Sequence, residues 1–263
     1  MKKVDFYKEK VIIITGSSSG IGRATSLALA QYGSKVVLAS RTMEKLISLK
    51  EQITSKGGEA LVIKTDLCSP VEINNMINET ILKWGRVDIL IACAGQYFRD
   101  ITNELDINKY QESMSLNFFG TLNSIKNVLP EMKRQRSGHI VIINSLDTKK
   151  GIVGDGPYVS AKAALDGFGD VLRQEMKPFN IKVTSIFPGR VNTPMIENIK
   201  VPLITKKIPP EKVVKAILKA IKGNKANVIV PSVFSFVTIL NYLMPHFSDW
   251  AYRVLKIQGQ HDN

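Results

Sequence analysis

Six short runs of aliphatic, often β-branched residues recur along the chain, and a longer helical pattern lies between most neighbouring pairs. The runs are Val11–Thr15, Val36–Ser40, Ala60–Thr65, Ile89–Ala92, Ile140–Asn144 and Val183–Phe187. Each is too short for a helix and too continuously apolar for a strand with one wet face, so each is expected to be a strand buried on both sides. The intervening stretches, Gly22–Gln31, Met43–Ser55, Pro70–Trp84, Ile107–Met132 and Tyr158–Met176, carry the helical period. That alternation predicts an α/β fold: a doubly wound parallel sheet with right-handed crossovers and helices on both faces. A chain of 263 residues with no internal repeat or low-complexity tract fits one such domain. We read residues 1–232 as that domain, with Val228–Val230 as a last strand, and residues 233–263 as a C-terminal extension. Ligands of open parallel sheets lie beyond the carboxyl ends of the strands, so the residues just after each run are the candidate site.

After the first run comes Thr15-Gly16-Ser17-Ser18-Ser19-Gly20-Ile21-Gly22. Glycines allow a tight turn and a close approach to a pyrophosphate, and the helix that follows offers free N–H groups and the positive end of its dipole. Gly16, Ser18, Ser19, Gly20, Ile21 and Gly22 are therefore candidate dinucleotide ligands, although the spacing is G-x-x-x-G-x-G and not G-x-G-x-x-G. The second run ends Leu38-Ala39-Ser40-Arg41. An NAD site would place a carboxylate here for the ribose hydroxyls, whereas Ser40 and Arg41 suit a 2′-phosphate, and the expected cofactor is NADP(H). The plainer reading of Arg41 is a solvated charge at a strand end. Asp66, with Leu67 beside it, is placed either to accept from an adenine amino group or to cap the helix beginning near Pro70.

Lys and Arg number 36 against 23 acidic residues, a net charge of +13 that favours anionic partners such as a phosphorylated cofactor, an acidic lipid surface or nucleic acid. The basic residues are dispersed, and neither a recognition helix nor zinc spacing accompanies them, so nucleic acid is not an expected partner. Three scattered histidines argue against a metal site. The two cysteines, Cys68 and Cys93, are too few for a disulfide framework, and the start of the chain shows no secretory pattern; a cytoplasmic protein is expected.

Tyr158-Val159-Ser160-Ala161-Lys162 sets a phenol and an ammonium at i and i+4 of one helix face. A phenol is a poor proton donor at neutral pH, and a neighbouring cation lowers its pKa. Ser145 follows the fifth run, at the ligand edge, where its hydroxyl can hold a substrate oxygen. The glycine loop, Asn117, Ser145 and Tyr158-x-x-x-Lys162, in this order and spacing, resemble the short-chain dehydrogenase/reductases over about residues 8 to 232. The resemblance implies a Rossmann-type domain in which Tyr158 is the general acid for carbonyl reduction. It further implies that Lys162 lowers the tyrosine's pKa and binds the nicotinamide ribose, that Ser145 orients the carbonyl, and that Asn117 holds a water of the proton relay. Pro188, Gly189, Val191 and Thr193 resemble the segment that holds the carboxamide. Where the family usually has N-N-A-G, this chain has Ala92-Cys93-Ala94-Gly95. Cys93, Ala94 and Gly95 keep the cofactor-side position, and the cysteine is expected to change local packing without costing catalysis.

The implied reaction is hydride transfer between the nicotinamide and a carbonyl or secondary alcohol, run mainly as reduction by NADPH. The segment from Asn192 to Pro210 is short, amphipathic and poor in clustered charge, which favours an apolar or acyl-chain ketone over a sugar, the plainer reading being a mobile lid; similarity in type to lipid-acting members of the family implies a 3-oxoacyl or 3-ketosphinganine-like substrate. Val233 to Met244 is strongly apolar, and Trp250, Tyr252, Arg253, Leu255, Lys256 and Ile257 follow as a basic amphipathic pattern. This extension is expected either to pack on the domain or at a subunit contact, or to lie on an anionic membrane, as a lipid substrate would suit. The resemblance implies a homodimer or homotetramer built on the helices around Asn117 and Tyr158. The alternative to an enzyme is an idle NADP(H)-binding sensor or scaffold, against which the full set of four catalytic-type residues argues.

Overall fold

The strands form where the aliphatic runs lie: β1 (Val11–Thr15), β2 (Lys35–Ser40), β3 (Glu59–Lys64), β4 (Ile89–Ala92), β5 (Gly138–Ile143), β6 (Ile181–Pro188), the short β7 (Ile199–Lys200), β8 (Asn227–Val230) and the short β9 (Gln260–His261). The computed structural model describes residues 6–100, 105–200, 206–255, 257 and 260–261. Seven strands form one parallel sheet in the order β3-β2-β1-β4-β5-β6-β8. Chain order reverses between β1 and β4, and a cleft at the carboxyl ends of these neighbours is the expected ligand site.

The helices are α1 (Gly20–Gln31), α2 (Met43–Thr54), α3 (Pro70–Trp84), α4 (Ile107–Ser113), α5 (Gly120–Gln135), α6 (Gly156–Glu175), α7 (Pro210–Lys222), α8 (Phe234–Leu243) and α9 (Pro245–Val254). Alternation along β1 shows why both sheet faces must be covered. Ile12 and Ile14 join a cluster with Leu29 of α1, Leu46 of α2 and Ile217 of α7, while Ile13 joins Ile73 of α3, Val128 of α5 and Leu165 of α6. Each such buried aliphatic side chain stabilises the fold by roughly 1.5–3 kcal/mol relative to leaving it exposed. Local signals set the ends of α3: Ser69 accepts from the Glu72 N–H, Pro70 occupies the first turn, and Gly85 takes the left-handed conformation at φ 72°.

The helix expected over 107–132 is broken into α4, a π-helical segment at Met114–Phe119 and α5. The widened turn carries Asn117, whose buried amide is bonded to the backbone of Gln96 across the helix boundary. Single π turns of this kind commonly accompany functional positions.

The apolar run from Val233 divides at Pro245 into two ten-residue helices, α8 and α9. No helix among the described residues is long and apolar enough to cross a membrane. Asn241 Nδ2 donates to the Lys149 carbonyl at 2.7 Å, and Lys150 pairs with Asp249. The extension thereby meets the loop that follows β5. Beyond α9, β9 pairs antiparallel with β7, bringing the chain end back to the segment after β6.

Candidate active site

A cleft opens at the carboxyl ends of the central strands. Its walls include the expected residues Gly16, Ser18, Ser19, Gly20, Ile21, Gly22, Ser40, Arg41, Asp66, Leu67, Cys93, Ala94, Gly95, Ser145, Tyr158, Lys162, Pro188, Gly189, Val191 and Thr193.

In the glycine loop, backbone crowding explains the residue type. Gly16 has φ +70°, and a Cβ there would stand 2.7 Å from the Ala94 Cα; one on Gly22 would stand 2.3 Å from the Gly16 carbonyl oxygen. Ser17 is fully buried, donates to the Ile14 carbonyl and accepts from the Ala39 N–H, so it ties β1 to β2 and faces away from any ligand. Ser19, the α1 N-cap, has extended backbone and its side chain caps nothing, which leaves the helix's first turn at the cleft without that partner. Arg41 is exposed at the lip. The cap of α3 is Ser69, so the capping reading of Asp66 is corrected: its Oδ1 accepts from the Cys68 N–H at 2.9 Å while the residue lines the cleft. Close backbone approach, an uncapped helix start and a guanidinium at the lip fit a phosphorylated dinucleotide.

Cys93 donates its N–H to Thr15 Oγ1 at 3.1 Å, and Ala94 does so at 3.2 Å. The β1 threonine thus anchors the turn after β4 through its backbone. Burial pushes the Cys93 thiol up to about 12, the behaviour of an unreactive cysteine.

At the deeper end stand Ser145, Tyr158 and Lys162, from the turn after β5 and from α6. Lys162 is only 4% exposed, and its Nζ donates to the Ile143 carbonyl at 2.9 Å; burial lowers its pKa to about 8. The Tyr158 phenol is held above its ordinary range, chiefly by burial and next by the Asp147 carboxylate, while a hydrogen bond shared with Ser145 works the other way. The lowering expected from Lys162 is therefore outweighed: its Nζ lies 5.9 Å from the centre of the tyrosine ring and is committed to a carbonyl. Asn117 does not line the cleft. It is fully buried behind Gly95, where Oδ1 accepts from the Gln96 N–H and Nδ2 donates to the Gln96 carbonyl and to Ser113 Oγ. A Cβ on Gly95 would stand 2.7 Å from Asn117 Oδ1 and 3.6 Å from Lys162 Nζ, so a side chain there would collide with the asparagine and merely touch the lysine. Asn144 accepts from the Ser145 N–H, and its Nδ2 is buried without a partner beside the cleft.

Sequence reasoning missed a polar group at the same end: Tyr97, Arg99, Asp147, Asp155 and Arg190. Arg99 Nε donates to Asp155 Oδ1 at 2.9 Å, and the Tyr97 and Tyr158 rings meet edge to face at 5.1 Å. Asp155 and Tyr97 are both raised, first by burial. Asp147 was available to the rule that residues just past a strand face the ligand, since it follows Ser145 by two positions. Arg99 and Asp155 belong to loops and carry no such signal. The segment after β6 contributes the apolar wall expected of it, Met195, Ile196 and Ile199, while residues 201–205 of that segment lie outside the described residues, as does Lys256. Arg190 also follows β6, whereas Arg99, Asp147 and Asp155 come from other loops. Tyr252 of α9 is also within electrostatic reach of Asp147 and Arg190.

The sheet order and the cleft at its switch point define a dinucleotide-binding α/β protein. A family model described as short chain dehydrogenase matches residues 10–202, and the chain belongs to that family. It is accordingly an oxidoreductase of a family whose members use a nicotinamide cofactor. An uncharacterised oxidoreductase of Listeria monocytogenes is 37% identical over 194 residues, covering 73% of this chain and 78% of that protein. A fatty acyl-CoA reductase of Acinetobacter baylyi is 34% identical over 216 residues, 81% of this chain and 73% of its own length. A 3-ketodihydrosphingosine reductase of Mus musculus is 32% identical over 228 residues, 81% of this chain and 69% of its own. Among solved structures, a 7α-hydroxysteroid dehydrogenase complexed with NADH and 7-oxo glycochenodeoxycholic acid superimposes with a TM-score of 0.80 over 85% of this chain and 93% of that one; at 24% identity the likeness speaks to the fold.

Proposed function

We propose that the protein is an NADPH-dependent reductase of a lipophilic ketone, and the observation that carries this reading is one cleft shared by the glycine loop, Arg41, Ser145, Tyr158 and Lys162. The loop and the α1 N-terminus hold the pyrophosphate, Ser40 and Arg41 the 2′-phosphate, and Asp66 the adenine end. Val191 and Thr193, beside Pro188 and Gly189, hold the carboxamide. When bound, NADPH supplies the hydride. Ser145 and Tyr158 hydrogen-bond the carbonyl oxygen, and Tyr158 gives it a proton as the alcohol forms. Lys162, with a pKa near 8, binds the ribose and passes a proton back toward the phenol, and Asn117 supports that relay from behind Gly95. Leu116, Ile152, Met195, Ile196 and Ile199 offer an apolar wall to the rest of the substrate. Two relatives named for acyl and sphingoid substrates support a long-chain ketone, 3-oxoacyl or 3-ketosphinganine-like. The test is NADPH oxidation by wild type and Tyr158→Phe over 3-ketosphinganine, 3-oxoacyl thioesters, ketosteroids, small diketones and sugars. Turnover that is lost in the variant supports the reading; cofactor binding with no turnover on any class would favour the idle sensor.

We read residues 1–232 as the catalytic domain and 233–263 as an extension that docks on an anionic lipid surface. The support is the outer face of α8 and α9, where Phe236, Ile239, Tyr242, Phe247 and Trp250 are all exposed, together with the net charge of +13. Phe236 is 71% and Trp250 58% exposed, and replacing both by glutamate removes apolar contact while adding charge that anionic lipid repels. The double variant is expected to float with phosphatidylserine-containing vesicles at least about tenfold less than wild type, at roughly 1.4 kcal/mol per tenfold. Equal flotation, or none by the wild type, would leave these helices as a packing or subunit surface. Exposed Ile107, Phe119 and Val171, on α4, the π segment and α6, are where a homodimer or homotetramer would form.

A further inference from the structure

After β5 the chain enters a single 3-10 turn, Leu146–Thr148, that Ser145 caps. Two of the hydrogen bonds at this turn join Ser145 to Asp147. Ser145 Oγ donates to Asp147 Oδ2 at 3.1 Å, and the Asp147 N–H donates to Ser145 Oγ at 3.2 Å. A serine hydroxyl has one proton to give and two lone pairs to offer. Here the proton goes to a carboxylate, so it is not available to a carbonyl oxygen at the same time. The competition is uneven, because a hydrogen bond to a charged acceptor is the stronger of the two.

The surroundings of Asp147 decide how long it stays charged. It is enclosed by protein on most sides, yet part of its surface opens onto the cleft. Asp155, ahead of α6, faces it with a like charge, and Arg190, after β6, with an opposite one. Among the described residues Tyr97 after β4, Tyr158 of α6 and Tyr252 of α9 also interact with it, and Arg99 is engaged by Asp155. Burial first, and Asp155 next, push its pKa up to about 6, against the Ser145 hydrogen bond and Arg190.

We propose that Asp147 is a positioning residue that sets which way Ser145 hydrogen-bonds. As a carboxylate it takes the serine proton and leaves Ser145 an acceptor, suited to an alcohol. As a carboxylic acid it donates to Ser145 Oγ and releases the serine proton to a carbonyl. No covalent bond of the substrate is involved in the change; the proton on Asp147 comes from solvent. This rests on the reading that Ser145 holds the substrate oxygen. Its consequence is that ketone reduction gains on the acid side of the Asp147 transition and alcohol oxidation gains on the alkaline side.

Two measurements test it, one of them independent of any substrate. In protein labelled at aspartate carboxyl carbons, the Asp147 signal, assigned by its loss in Asp147→Asn, is expected to titrate near pH 6. In Ser145→Ala the midpoint is expected to rise, because a hydrogen bond to the charged form is gone. A midpoint that Ser145→Ala leaves unmoved overturns the proposal, whatever the ketone screen returns. The second measurement uses the ketone turned over fastest in a Tyr158-dependent manner. For wild type, kcat for its reduction is expected to fall about tenfold between pH 5 and pH 8 through a midpoint near 6, with little change in KM, because the serine bond to the oxygen strengthens as charge develops. Asp147→Asn, which cannot ionise, is expected to lose the inflection near 6 and keep those on the alkaline side that belong to Lys162 and Tyr158. An unchanged inflection in Asp147→Asn overturns the proposal. If no ketone is reduced in a Tyr158-dependent way, the reductase reading fails while the carboxyl titration still decides whether Asp147 and Ser145 are coupled.

Discussion

Tyr158→Phe is expected to lower ketone reduction by about 10²–10⁴-fold, the usual scale for removing a general acid–base group. The substitution deletes one oxygen and leaves the ring, whose edge-to-face contact with Tyr97 and near-complete burial fix its place in α6. The fold should therefore survive, and NADPH should bind with nearly unchanged affinity. The loss should fall on kcat more than on KM, because the proton is delivered as the alkoxide forms and not in the ground state. The high pKa of the phenol is informative here. Burial and Asp147 oppose ionisation of Tyr158, so the residue is protonated, the form a reductase requires, across the neutral range. Stopped-flow measurement of NADPH oxidation, with fluorescence titration of the cofactor alongside, separates the two effects. Wild-type kcat in Tyr158→Phe would mean that another group supplies the proton.

The sheet was legible because its strands are buried on both faces. A strand such as Val11–Thr15 has no wet side on which to place polar residues, so its apolar run stands out and its ends are marked by a lysine before and a glycine after. The cofactor half of the cleft was legible for a related reason: each of its residues follows a strand directly, where topology alone sends it to the ligand edge. Asn117 shows the limit of periodicity. Its π turn inserts extra backbone into a pattern that still reads as helix, because the apolar positions on either side keep their spacing. The acidic and basic residues of the substrate end were hidden for another reason. Arg99 and Asp155 meet across 56 positions of sequence, from two loops with no hydrophobic period to place them. Asp147 and Arg190 each follow a strand closely, but only three-dimensional packing joins them with Asp155 in the cleft that also holds Ser145.

That lining alters the expected substrate. An apolar lid segment alone suggests a plain alkyl ketone. Met195, Ile196 and Ile199 do line the cleft, but Asp147, Asp155, Arg99 and Arg190 line it as well. Under the proposed function, a cleft lined by both apolar and charged side chains suits an amphipathic ketone better than a purely apolar one. On α9, Tyr252 lies within electrostatic reach of Asp147 and Arg190, while Trp250 is exposed to solvent.

Arg41→Asp is expected to invert the choice between the two nicotinamide cofactors. Arg41 stands at the lip of the cleft beyond β2, at the position where a carboxylate would otherwise meet the adenine ribose. Its side chain is exposed and Ser40 Oγ beside it accepts from the exposed Thr42 N–H at 3.3 Å, so both can turn to a 2′-phosphate without breaking that backbone's buried contacts. A charge-assisted hydrogen bond there is worth roughly 1.5–3 kcal/mol, on the order of 10–150-fold in affinity for NADPH over NADH. An aspartate at the same place repels the phosphate and accepts from a free ribose hydroxyl, so both halves of the ratio move. The change is expected in the cofactor KM and hardly in kcat, because the contact is far from the carbonyl and equal in ground and transition states. Added salt should narrow the wild-type preference, since an exposed guanidinium is screened within about 10 Å at 0.1 M ionic strength. Titrating each cofactor against wild type and Arg41→Asp by tryptophan fluorescence, at two salt concentrations, measures all of these. Equal wild-type affinity for NADH and NADPH would reduce Arg41 to a solvated charge at the end of β2.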